Sequence, residues 1–111
     1  MSKVDLSKLS YEEIEERYIK FNIPGHYKFQ DAEQVKNVLG WDFRTCRGFK
    51  DLTEEDKQLA EQLICNYLNG FGLRNRHKQR PTGIKKEKDR QRFVVNFKDG
   101  YSYLYYDGTI G

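Results

Sequence analysis

At 111 residues the chain has room for one hydrophobic core and not for two. Leu, Ile, Val and Phe supply 27 residues, about 24%, which clears the roughly 20% below which chains tend to stay unfolded. The net charge of +3 is uneven: residues 1–73 carry ten Lys/Arg against thirteen Asp/Glu, residues 74–92 nine against two, and residues 93–111 one against two. No apolar run approaches the ~18 residues that span a bilayer. The opening Met1-Ser-Lys-Val-Asp-Leu-Ser-Lys lacks the apolar stretch of a secretory signal. Membrane and secreted readings are set aside, and a cytoplasmic chain is expected.

Ser10-Tyr-Glu-Glu13 has the form of a capping box, with Leu9 and Ile14 placed as a hydrophobic staple. Ile14, Tyr18 and Phe21 follow at helical spacing, with Tyr11 one turn earlier, and Asn22-Ile-Pro24-Gly25 stops the helix. Asp31-Ala-Glu-Gln34 opens a second, short helix with Val35, Val38 and Leu39 on one side. Gly40 suits its left-handed end, and Trp41 can fold back toward Val35. Thr53 caps a third helix whose first turn holds Glu54, Glu55 and Asp56, acids that the helix dipole favours there. Leu59, Ala60, Leu63, Ile64, Tyr67 and Leu68 form its apolar stripe, and Asn69-Gly70 ends it.

Beyond the basic segment the period changes from 3.6 to 2. Residues 92–98 and 101–106 flank Asp99-Gly100, a dipeptide suited to a type I′ hairpin turn. That turn sets Phe97 opposite Ser102, Val95 opposite Leu104 and Phe93 opposite Tyr106. Phe93, Val95, Phe97, Leu104 and Tyr106 then face the core, and Tyr101, Tyr103 and Tyr105 face away. A third strand is available from residues 82–86 or from the tail at Thr109-Ile110. The expected fold is α+β: three helices packed on a C-terminal antiparallel β-hairpin or small sheet. It makes a single domain over residues 1–111, with a helical body at 5–70, a basic segment at 74–92 and a hairpin at 92–107.

Two cysteines, Cys46 and Cys65, suit a reduced compartment better than a disulfide scaffold. Cys65 falls on the apolar stripe and reads as a small buried hydrophobe. Cys46 lies between Arg44 and Arg47, which could lower its pKa, but no Cys-His pair accompanies it. A zinc site would have to gather His26, Cys46, Cys65 and His77, none of them at short ligand spacing, so no metal is expected. There is no phosphate-cradling glycine loop, no nucleophile elbow and no His-Glu-x-x-His. Glu55, Asp56 and Lys57 with Asp42 or Asp51 form a faint nuclease-like pattern, but they open a helix instead of lining a strand. His77, inside Arg74-Asn-Arg76-His77-Lys78, could act as a general acid, but five side chains in a row cannot by themselves build a site. No enzyme activity, cofactor or small-molecule substrate is expected.

The lead is electrostatic. A mildly acidic body carrying one concentrated basic segment is the usual footprint of a phosphate-binding surface. The expected phosphate contacts are Arg74, Arg76, Lys78, Arg80, Lys85, Lys86, Lys88, Arg90 and Arg92. Tyr101, Tyr103 and Tyr105 would present rings on which bases stack. The third helix opens acidic and would repel phosphate, so it does not read as a recognition helix. The leading expectation is a small non-catalytic module that binds DNA or RNA. The alternative is a small factor that regulates or inhibits a larger machine, its tyrosines meeting a protein and its cations an acidic protein surface. The tyrosine row also has a bland account, because cross-strand aromatic pairs stabilise hairpins unaided.

Overall fold

The computed structural model describes residues 10–23, 27–72 and 75–111. Three helices precede a three-stranded antiparallel sheet, giving the expected α+β fold. The helices are α1 (Tyr11–Lys20), α2 (Ala32–Leu39) and α3 (Glu54–Asn69), and the strands are β1 (Gly83–Glu87), β2 (Arg92–Phe97) and β3 (Gly100–Tyr105). Sheet order is β1-β2-β3. No helix among the described residues is long and apolar enough to cross a membrane.

The helix ends follow from local chemistry. Ser10 and Glu13 form the reciprocal capping box of α1; Leu9, Pro24 and Gly25 lie outside the described residues. Asn22 takes a left-handed φ of 55°. Its amide donates to Ile19, and that of Ile23 to Tyr18, the two bonds of a Schellman end. Asp31 caps α2, accepting from the Gln34 amide, and Gly40 closes it at φ 82°. Thr53 caps α3, accepting from the Asp56 amide.

Side chains then tie the helices together. Arg17 of α1 donates to the carbonyls of Asn37 and Val38 at the C-terminal end of α2. Glu61 of α3 accepts from the Ala32 amide, 2.7 Å away, at the start of α2. Asn69 bonds both backbone groups of Phe29. Ala60, Leu63, Ile64, Cys65, Tyr67 and Leu68 of α3 are buried with Ile14, Tyr18, Val35, Val38 and Trp41, and with Ile84, Phe93, Val95 and Leu104 of the sheet. Two 3-10 turns between α2 and α3 add Phe43 and Phe49 to the same core.

The hairpin departs from the expected register. Phe93 pairs with Leu104, Val95 with Ser102 and Phe97 with Gly100, so the connection is Lys98-Asp99. Gly100 begins β3 and is not at positive φ. The displacement is two residues, which keeps every side chain on its expected face, so the alternation of the sequence fits both registers equally. With a glycine opposite, Phe97 stacks on Tyr67 of α3 at 5.2 Å and 17° between planes. Both candidate third strands form contacts: residues 83–87 are β1, and Ile110 bridges Leu104 on the far edge of β3.

Candidate nucleic-acid interface

The basic segment is not one strip. Its residues form a 3-10 turn at Arg76–Lys78, strand β1, a second turn at Lys88–Arg90 and the start of β2. Some of its cations turn inward. Arg76 is 4% exposed. Its guanidinium donates to the carbonyls of Phe71, Tyr27 and Asn69 and to the Tyr18 hydroxyl, and it lies over the rings of Tyr18 and Phe29. Four of its five N–H groups are thereby used within the fold, so the expected phosphate contact at Arg76 is replaced by an anchoring role. Burial in turn pushes the Tyr18 phenol above its ordinary pKa, against the opposing pull of Arg76.

Arg92 and Lys86 are also engaged. Arg92 is buried, donates to Glu87 at 2.6 Å and to the Tyr105 hydroxyl at 3.0 Å, and sits 3.7 Å over the ring of Tyr103. Lys86 shares the core face of the sheet with Phe93 and reaches Asp56 in the first turn of α3, at 2.6 Å. Period-2 alternation places Lys86 on the core face, whereas Arg92 falls on the outer face beside Tyr105 and is covered there by the Tyr103 and Tyr105 side chains. Arg74 lies outside the described residues.

Lys78, Arg80, Lys85, Lys88 and Arg90 are exposed and form no ion pair with a described residue. The sheet separates them. Lys88 and Arg90 occupy the turn at one end of the β1-β2 pair, while Arg80 precedes β1 at the other. Five strand residues at about 3.3 Å each put these ends roughly 17 Å apart. Lys85 stands between them on the outer face, opposite Val94.

Lys78 and Arg80 line an open groove of about 760 Å³ together with Arg47 and Lys98. All four side chains are exposed, and none is paired to a described acid. The groove is assembled by backbone contacts. The Arg47 amide donates to Thr82, the Ile84 amide donates to Arg47, and Arg47 bridges Gly83 in parallel. Thr82 in turn donates to Asn96, next to the Lys98-Asp99 turn. Buried Arg76 fixes the Arg76–Lys78 turn against α3, which aims Lys78 and Arg80 at the same space. Arg47 and Lys98 lie outside the basic segment of the sequence. The signal for Arg47 is the following Gly48, at φ 90°, which lets that loop close onto β1.

Cys46 also lines the groove. Burial pushes its thiol up to about 11, so it is not a thiolate near neutral pH. Neither flanking arginine offsets that burial, and the Arg44 guanidinium is turned to Asp42 at 2.7 Å and Glu33 at 3.2 Å. His77 lines the groove as well, while His26 lies outside the described residues. Among the described residues no three His, Cys, Asp or Glu side chains gather as a metal site.

On the outer face of the sheet Tyr101, Tyr103 and Tyr105 stand side by side, as the alternation predicts. They are not equivalent. Tyr101 is 61% exposed and meets Tyr103 edge-on at 5.4 Å. Tyr103 carries the Arg92 guanidinium on its ring, and Tyr105 holds that guanidinium with its hydroxyl. The expected three-ring platform is therefore reduced to one open ring, Tyr101, because a buried cation has taken the other two. No protein-family model, curated protein or solved structure matches this chain.

Proposed function

We propose that this chain is a small non-catalytic nucleic-acid-binding module of the cytoplasm, holding phosphates in the groove between Arg47, Lys78, Arg80 and Lys98. The observation that supports this is an excess of positive charge, four cations against the single acid Asp99 among the described lining residues. Four exposed cations line one concavity, whereas Lys86, Arg92 and Arg44 elsewhere in the molecule are each matched to a carboxylate. A concave set of unpaired cations focuses the field and attracts a polyanion. Tyr101 stands beyond the adjoining turn as an open ring for a base. Lys88, Arg90 and Lys85 contribute a weaker, more distant attraction.

The test is a salt-dependent titration against single-stranded and duplex DNA and RNA. Log K should fall by about 0.7–0.9 per neutralised phosphate per log unit of salt. Replacing both Lys78 and Arg80 with Gln should flatten that slope more than replacing Lys88 and Arg90. A flat slope in the unaltered protein rejects this reading in favour of an acidic protein partner. Equal effects of the two double substitutions reject the groove as its centre.

A further inference from the structure

The basic groove continues past the Lys98-Asp99 turn. On the other side of that turn a second groove, about 350 Å³, is lined by Tyr67, Gln79, Phe97 and Tyr101 among others, and Lys78 and Asp99 belong to both. Asp99 is the one acid among the described residues lining either groove. A phosphate placed against it would meet like charge. A carboxylate only accepts hydrogen bonds, so the part of a nucleic acid that suits this position is a donor edge of a base.

Guanine matches that demand best. Its Watson–Crick edge carries two adjacent donors, N1–H and the N2 amino group, which the two carboxylate oxygens can accept together, and beside them the O6 acceptor. Gln79 supplies the complement. Its Oε1 accepts from the Tyr67 hydroxyl at 3.1 Å, which leaves the carboxamide NH2 to donate. The stacked rings of Tyr67 and Phe97 give this groove an apolar floor, and Tyr101 gives it an open aromatic wall. In a duplex the Watson–Crick edge is already paired, so only an unpaired base can meet Asp99 and Gln79.

We infer that the two grooves form one path for a single strand, with phosphates in the larger and an unpaired guanine in the smaller. The guanine ring lies on Tyr101, and its N1–H and N2 amino group meet Asp99. This rests on the nucleic-acid reading above and adds strand form and base to it.

The experiment compares three probes at one salt concentration by fluorescence titration of the whole chain. They are a short oligothymidylate, the same strand with one central guanine, and that guanine strand annealed to its complement. The guanine strand should bind about tenfold tighter than oligothymidylate, and annealing should remove the gain. Asp99→Asn should erase the preference while tightening oligothymidylate binding, because an acid leaves the phosphate path. Equal affinity for the two single strands overturns the guanine site, as does a gain that survives annealing or Asp99→Asn. In those cases the phosphate groove still stands. Absence of binding to all three probes overturns both.

Discussion

A Cβ on Gly48 would sit 2.3 Å from the carbonyl oxygen of Ile84, so the loop after α2 lies directly on the backbone of β1. The obstructing atom is main chain and cannot swing aside. Gly48 also holds φ 90°, a conformation that costs a residue with a side chain about 1–3 kcal/mol. Gly48→Ala should therefore destabilise by at least that amount in urea melts, with the contact adding to it. Because Arg47 is fixed by the same junction, the surviving folded fraction should also bind nucleic acid less tightly. An alanine variant as stable as the parent would mean that the loop does not rest on the strand.

Arg76 and Arg80 are four residues apart and should behave oppositely. Removing Arg76 leaves three backbone carbonyls and the Tyr18 hydroxyl without their donor. Each buried group so stranded costs about 1–3 kcal/mol, moderated by relaxation and water entry. Arg76→Ala should lose about 2–5 kcal/mol of stability, and Arg76→Lys should recover little, since an ammonium cannot match the planar fork. Arg80→Ala is exposed and should change stability by no more than about 0.5 kcal/mol. It should nevertheless weaken binding and reduce the salt slope. Paired melts and titrations of the two variants separate anchor from contact.

These two arginines also mark how far the sequence could be read. Helix boundaries were legible because their caps are local: Ser10, Asp31, Thr53 and Gly40 each act within a few residues. Face assignment in the sheet was legible because period 2 fixes parity. Register was not, since displacement by two residues preserves parity and the choice depends on what each strand meets in the folded sheet, where Gly100 is set opposite Phe97. For the site, charge density located the segment but could not say which cations turn inward. Arg76 and Arg80 look alike in the chain, yet one meets Tyr18, 58 residues earlier, and the other meets solvent. Arg47 and Lys98 were invisible because their membership depends on the parallel bridge at Gly83 and on the position of the turn.

The Asp56–Lys86 pair joins the start of α3 to β1 and should shape the acid limb of stability. The hydrogen bond from Lys86 holds the Asp56 carboxyl below its usual 3.8, and Asp56 in turn holds Lys86 above 10.5. A carboxyl with a depressed folded pKa contributes stability above its unfolded value, and that contribution is lost as pH falls through the folded value. For the lysine the loss comes as pH rises through its raised value. Asp56→Asn should therefore lower the melting temperature at pH 7 and shrink the drop between neutral pH and pH values below 3.8. Parallel melting curves for the parent and Asp56→Asn at every pH would contradict this account.

Tyr101 and Tyr103, adjacent on the outer face, give the sharpest separation of structure from function. Tyr103 lies beneath the buried Arg92 guanidinium at 3.7 Å, and a cation–π contact of this kind contributes about 0.5–2 kcal/mol. Tyr103→Ala should lower stability by about that much, because Arg92 loses its aromatic partner while remaining bonded to Glu87 and Tyr105. Tyr101→Ala removes a ring that is largely in solvent and touches Tyr103 by its edge, so melting should move little. Its effect should fall on binding instead. Losing one stacked base weakens single-strand affinity by about 1–3 kcal/mol, with an unchanged salt slope because no charge is removed. If Tyr101→Ala binds as tightly as the parent while Tyr103→Ala binds poorly at full folding, the open ring is not the stacking surface. The base would then have to enter between Tyr103 and Arg92, displacing the guanidinium, and Arg92→Lys should weaken binding as strongly as Tyr103→Ala.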